Sequence, residues 1–174
     1  MAARVGRLGA DCPVFIANKP VFAEGKGDVF TSLTVPLLQK QYFALPPVGS
    51  FLPPSISLSI PATLEDYWLV LVKPSDFIST REAYASVTPA PSQVSLNEII
   101  SQPVKTWRGR MQNDFEASVF PTHPVVSGIC DQMYMLGASY AAMSGSGSTV
   151  FGLFRQQPVL GDVFSGHFQW TCRL

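Results

Sequence analysis

The residues best suited to chemistry lie in Ala142-Met143-Ser144-Gly145-Ser146-Gly147-Ser148-Thr149-Val150-Phe151-Gly152-Leu153-Phe154, a small-residue loop joined directly to an apolar strand run. The chemistry open to Ser144, Gly145, Ser146, Gly147 and Ser148 is anion binding. Glycines reach backbone conformations closed to other residues and allow a close approach to a ligand. Successive backbone N–H groups in such a turn form a nest for negative charge, and serine hydroxyls add donors without bulk. Ordinary turns use the same residue types, so the loop acquires meaning only from its surroundings. Thr80 is a second candidate, because Ser79-Thr80-Arg81-Glu82 carries the S-x-x-E capping signature. A hydroxyl beside the positive end of a helix suits a phosphate, and a plain helix cap uses the same groups.

The elements that must position these groups are legible as patterns. Tyr67 to Val72 is a continuous apolar run stopped by Lys73-Pro74, the pattern of a strand buried on both faces. The capping signature predicts a helix from Ser79, and Ser95-Leu96-Asn97-Glu98 repeats it ahead of Ile99-Ile100. Val104, Trp107, Met111, Phe115 and Val119 fall at three- and four-residue spacing and predict one amphipathic helix. Pro124 in a first turn and the stripe Val125, Ile129, Met133 and Leu136 predict another, ending before Gly137. Val150 to Phe154 and His167 to Cys172 read as strands. Val14 to Ile16 and Val21 to Ala23 flank Asn18-Lys19-Pro20 and read as a strand pair. After Lys26-Gly27-Asp28 the chain re-enters a strand at Val29-Phe30; Gly25 and Gly27 fit a tight turn there. From Pro36 to Asp66 the chain is rich in Pro and Ser, yet Tyr42, Phe43 and Phe51 make it more than a solvated linker. Strands alternating with helices over a single sheet give an α+β sandwich.

Composition narrows the classes of partner. The 174 residues have zero formal net charge with 14% charged residues, and mean hydropathy is +0.20. That balance has no footprint for nucleic acid or a charged membrane surface. No apolar run reaches the ~20 residues that span a bilayer. Cys12, Cys130 and Cys172 are widely spaced and odd in number, which suits reduced thiols of a cytoplasmic protein rather than a disulfide framework or zinc site. His123 and His167 lack clustered partners in sequence, so no metal site is expected.

Taken in order, Leu8 to Phe15, Phe22 to Asp28, Tyr67 to Tyr84, Asn113 to Glu116 and Met143 to Phe154 resemble the second half of the GHMP small-molecule kinases. The likeness is strongest to the branch acting on a diphosphocytidyl-methylerythritol substrate. Gly9-Ala10-Asp11-Cys12-Pro13-Val14-Phe15 and the Trp68-to-Pro74 and Ser79-to-Tyr84 runs argue against the homoserine, mevalonate and galactose kinase branches. A non-catalytic ferredoxin-like binding domain remains the rival from another class. The resemblance implies a ferredoxin-like C-terminal domain at 67–174, a remnant of the N-terminal kinase domain at 1–35, and a connection at 36–66. It implies ATP and Mg2+ as cofactors and Asp11 as the catalytic carboxylate that accepts or orients the hydroxyl proton. Thr80, Tyr84, Ser144, Gly145, Ser146 and Gly147 would meet substrate, with Tyr84 beside the cytosine ring, and Ser148 would meet ATP. Asn113, Asp114 and Glu116 would be structural polar groups on a helix.

Nothing in the 174 residues matches the P-x-x-x-G-L-G-S-S-A loop with which this family wraps the ATP phosphates. The expectation is a C-terminal fragment, inactive alone and prone to self-association through surface left uncovered. In the enzyme complete with its N-terminal half, Asp11→Asn is expected to abolish turnover while nucleotide binding survives. A mutant keeping more than about a tenth of wild-type kcat, a barrier change under roughly 1.4 kcal/mol, would remove Asp11 from that role.

Overall fold

Apolar alternation and turn residues partition the chain before any site forms. In this computed structural model, which describes residues 21–25, 29–33, 37–42, 56–85, 87 and 94–174, the chain divides into two compact units, Met1–Glu65 and Asp66–Leu174. In the first, β1 (Val21–Glu24) pairs antiparallel with β2 (Val29–Ser32), Glu24 opposite Val29. Gly25 leaves β1 at a φ of +69°. β3 (Leu37–Tyr42) pairs with β4 (Ile56–Pro61) over their full length. The Pro/Ser-rich stretch thus contains a strand pair of its own. The expected strand Val14 to Ile16 lies outside the described residues.

The second unit holds β5 (Trp68–Lys73), α1 (Thr80–Ala85), α2 (Leu96–Ile100), α3 (Glu116–Val119), α4 (Pro124–Met135), β6 (Tyr140–Met143), β7 (Val150–Phe154) and β8 (Phe168–Arg173). Its strands form one antiparallel sheet in the order β6-β7-β5-β8. β5 and β6 therefore run parallel with β7 inserted between them, the split β-α-β arrangement of ferredoxin-like folds. The link from β7 to β8, residues 155–167, is built of turns and carries no helix. The architecture is α+β, as the alternation of elements requires.

The core lies on one face of this sheet. Val70, Val72, Ala141, Met143, Val150 and Phe154 pack with Val126, Ile129, Cys130 and Met133 of α4 and with Ile78, Ala83, Val119 and Phe164. Burial of β5 on both faces does not hold. Val70 and Val72 have no exposed surface, whereas Leu69 and Leu71 are half-buried, because side chains alternate across a strand and the core cluster covers one side. Gly152 of β7 brings α4 close. A Cβ there would sit 2.7 Å from Met133 Sδ and 2.9 Å from Phe154 Cε2.

Two helix expectations are corrected. The single helix over 104–119 is broken into a 3₁₀ turn at Val104–Thr106, a turn through Gly109 at a φ of +78°, and α3. Val104, Trp107 and Val119 are still buried, so their spacing reports burial rather than helix. In α4 it is Val126, not Val125, that faces the core; Val125 is 41% exposed. Met133→Ala is expected to destabilise the unit by ~2–5 kcal/mol in urea unfolding, the range for buried large-to-small changes. Val125→Ala should stay within about 0.5 kcal/mol. Equal losses would contradict this orientation of α4.

Candidate functional site

β6 and β7 are neighbouring strands, so the chain must reverse between Met143 and Val150. Ser144 N–H donates to the Thr149 carbonyl at 2.8 Å and Gly147 N–H to the Ser144 carbonyl at 3.1 Å. Gly145 and Gly147 take φ values of +57° and +93°. Gly147 is required on two counts. Its φ lies where side chains are strained, and a Cβ would fall 2.7 Å from Met143 Sδ and 2.8 Å from Ile78 Cδ1.

Two side chains from one distant segment, Asn113 and Glu116, brace the loop, and the loop's own Ser148 ties it to a third segment at Asp76. Ser148 is buried, and its hydroxyl donates to the Asp76 carbonyl at 2.7 Å. Asn113 Nδ2 donates to the Met143 and Gly145 carbonyls, both at 2.8 Å, while Asn113 Oδ1 accepts from Phe115 N–H at 3.0 Å. Glu116 Oε1 accepts from Met143 N–H at 2.7 Å. Burial pushes the Glu116 carboxyl above its ordinary value, and the Met143 bond draws it back. Beside this bracing, a groove of about 400 Å³ opens along Asn113, Asp114, Glu116 and Phe120. Among the described residues, the amides of Gly145 and Ser146 donate to no protein acceptor, so they are available to an anion.

The capping signature sets the start of α1, but its halves separate. Ser79 Oγ accepts from Glu82 N–H at 3.1 Å, whereas the Glu82 carboxylate meets His123 Nε2 at 2.9 Å. The cap is therefore Ser79, and Thr80 stands exposed at the first position of α1. Ser95 marks the start of α2 without a side-chain cap bond. Tyr84 is 63% exposed, with its ring edge-to-face on Phe115 at 4.8 Å and 73°. Ser118 Oγ ties α3 to the Ala83 carbonyl at 2.9 Å.

Several predicted residues thus converge. Ser148 on Asp76, and Ile78 beside Gly147, set the Ser144–Ser148 loop against the segment that opens α1 at Thr80. Tyr84 joins through Phe115, two residues from Asn113. Asp11, Cys12 and Gly27 lie outside the described residues. Asn113 and Asp114 are not helix residues as expected; they precede α3, where Asn113 closes a local turn and grips the loop. Asp76 and His123 carry no motif in the sequence; their only signal is a polar residue beside an element boundary. The Cys130 and Cys172 thiols are pushed up to about 12 and about 11, chiefly by burial, which suits packing rather than nucleophilic work. Among the described residues no group of three or more His, Cys, Asp or Glu side chains is placed to hold a metal ion. Nor is any helix there long and apolar enough to cross a membrane.

Residues 100–163 match the family described as GHMP kinases C terminal. The chain is 46% identical over 169 residues to a 4-diphosphocytidyl-2-C-methyl-D-erythritol kinase of Parabacteroides distasonis, covering 96% of this chain and 52% of that protein. It is 46% identical over 147 residues to the enzyme of the same name from Bacteroides fragilis, covering 84% and 44%. A crystal structure of 4-(cytidine 5'-diphospho)-2C-methyl-D-erythritol kinase superposes with a TM-score of 0.59 at 24% identity, covering 87% of this chain and 47% of that one; this likeness supports the fold. The chain spans about half the length of the curated relatives it matches.

Asn113→Ala removes both carbonyl contacts and the Phe115 turn bond. It is expected to cost about 0.5–1.5 kcal/mol per bond, the net range for hydrogen bonds, since these are part-buried or exposed, and to speed hydrogen exchange at Ser144 and Gly147. Unchanged exchange at those amides would show that the loop holds its shape without Asn113.

Proposed function

We propose that this chain, which carries the C-terminal domain of the GHMP kinase family, is the C-terminal part of an ATP-dependent 4-diphosphocytidyl-2-C-methyl-D-erythritol kinase of cytoplasmic isoprenoid biosynthesis. The reaction is transfer of the ATP γ-phosphoryl group to a hydroxyl of the erythritol moiety. In this reading residues 1–35 belong to the N-terminal kinase domain and 67–174 to the C-terminal domain. The observation that carries it is the braced Ser144–Ser148 loop, which occurs in a chain 46% identical to kinases of that name.

Phosphoryl transfer asks little covalent chemistry of a protein; it asks for positioning and for stabilisation of spread negative charge. The loop meets the second demand with backbone amides, and its bracing means little reorganisation at the moment of reaction. Ser144 to Gly147 face substrate phosphate, whereas Ser148, expected to meet ATP, is buried with its hydroxyl given to the Asp76 carbonyl and fixes the turn instead. The exposed Thr80 hydroxyl adds a donor at the edge of the same region. Tyr84, backed edge-on by Phe115, offers its free surface to the cytosine ring, where base–aromatic stacking is worth roughly 1–3 kcal/mol. Asp11 receives or orients the hydroxyl proton. Mg2+, which neutralises phosphate charge when bound, is assigned no ligand among the described residues.

The test is a coupled assay on diphosphocytidyl-methylerythritol with the N-terminal half restored. Turnover is expected there and is not expected from these 174 residues alone, since no P-x-x-x-G-L-G-S-S-A loop occurs in them. Tyr84→Ala should raise the KM for this substrate, whereas Tyr84→Phe should leave it near wild type, because stacking needs the ring and not the hydroxyl. Equal KM values in all three proteins would make Tyr84 a packing residue.

A further inference from the structure

His123 sits at the junction of α3 and α4 and reaches two other segments. Its Nε2 is 2.9 Å from Glu82 Oε1 on α1, and its Nδ1 is 3.8 Å from Asp76 Oδ2 on the segment before α1. The ring is 17% exposed, and its backbone N–H is held by the Val119 carbonyl at 2.8 Å. Asp76 is also the residue whose carbonyl takes the Ser148 hydroxyl. We propose that His123 is a positioning residue for the Ser144–Ser148 loop, a proton-dependent latch acting through Asp76 and Ser148. Its consequence for nucleotide binding rests on the function proposed above; the latch itself does not.

The physics is that of an imidazole between two carboxylates. A protonated ring donates from both nitrogens, so it holds Glu82 and attracts Asp76 at once. A neutral ring has one N–H. Spent on Glu82 at hydrogen-bond distance, it leaves a lone pair on Nδ1 facing the Asp76 carboxylate, which is then released. Asp76 gives its carbonyl to Ser148 and Ile78 lies against Gly147, so these two contacts are the route by which a shift of this segment reaches the loop. Among the described residues Asp76 and Glu82 are the charged groups paired with the ring. Arg81 neighbours Glu82 on the exposed side of α1. On α3, Glu116 is engaged by Met143 N–H. The first turn of α4 carries no acidic side chain, and Asp131 lies further along it.

Amide NMR of the 174-residue chain between about pH 5 and 8, where histidine changes charge, tests this directly. The Gly145, Gly147 and Ser148 resonances are expected to shift with the midpoint of the His123 ring, to stay flat in His123→Gln, and to respond unchanged in His167→Gln. Glu82→Gln, which keeps the ring, should weaken the response and decides the matter if His123→Gln does not fold. In the complete enzyme the nucleotide KM should rise about 5-fold, a typical coupling, as pH passes from 6 to 8, with His123→Gln insensitive to pH. Loop amides indifferent to the His123 titration would overturn the latch. An intact amide response without kinase turnover would overturn the functional reading and leave the latch standing.

Discussion

The peptide group of Met143 is where sheet and site meet. β6 is the edge of its sheet, and an edge strand presents backbone groups that no neighbouring strand satisfies. Side chains satisfy them here. The Met143 carbonyl takes Asn113, the Met143 N–H goes to Glu116, and the Ala141 carbonyl takes the Tyr134 hydroxyl at 2.9 Å. The loop that follows thereby starts from a fixed point. Without these contacts the Ser144–Ser148 turn would hang from a frayed strand end.

Glu116 shows what such bracing costs. Its carboxylate is half-buried, which disfavours the charged form, and the one bond from Met143 N–H only partly offsets that. A carboxylate is nonetheless a stronger acceptor for a backbone N–H than a neutral group. Behind the edge the core is packed tightly enough that Gly152 cannot take a side chain without displacing Met133 or Phe154. α4 therefore cannot shift against β7 without cost, and the bracing segment that follows α2 is held between the sheet edge and α1.

Much of the framework was legible because it is local. Ser79 and Glu82 mark the start of α1 through one hydrogen bond three residues long. Pro124 and the apolar stripe mark α4, and the apolar run from Val150 to Phe154 marks β7. Failures came where a local signal had a non-local cause. The spacing of Val104, Trp107 and Val119 matches a helix, yet Gly109 and the Asn113 turn break the backbone while burial still selects the same residues. The apolar run of β5 looked buried on both faces, yet the core cluster covers only one.

The sequence by itself determined the α+β class, the starts of α1 and α4, the strands β5, β7 and β8, and the chemical character of the loop. Glycines at 145 and 147 and serines around them permit a tight, donor-rich turn wherever they fall. Tertiary structure alone decided what that turn is held by. Asn113 lies 30 residues from Met143, Glu116 lies 27 from it, and Asp76 lies 72 from Ser148. No periodicity links residues so far apart; only the return of β7 beside β5, with β6 on its far side, and the packing of α3 against α1 bring them within hydrogen-bond distance. His123 is the same case, a histidine with no clustered partner in sequence until folding places two carboxylates beside its ring.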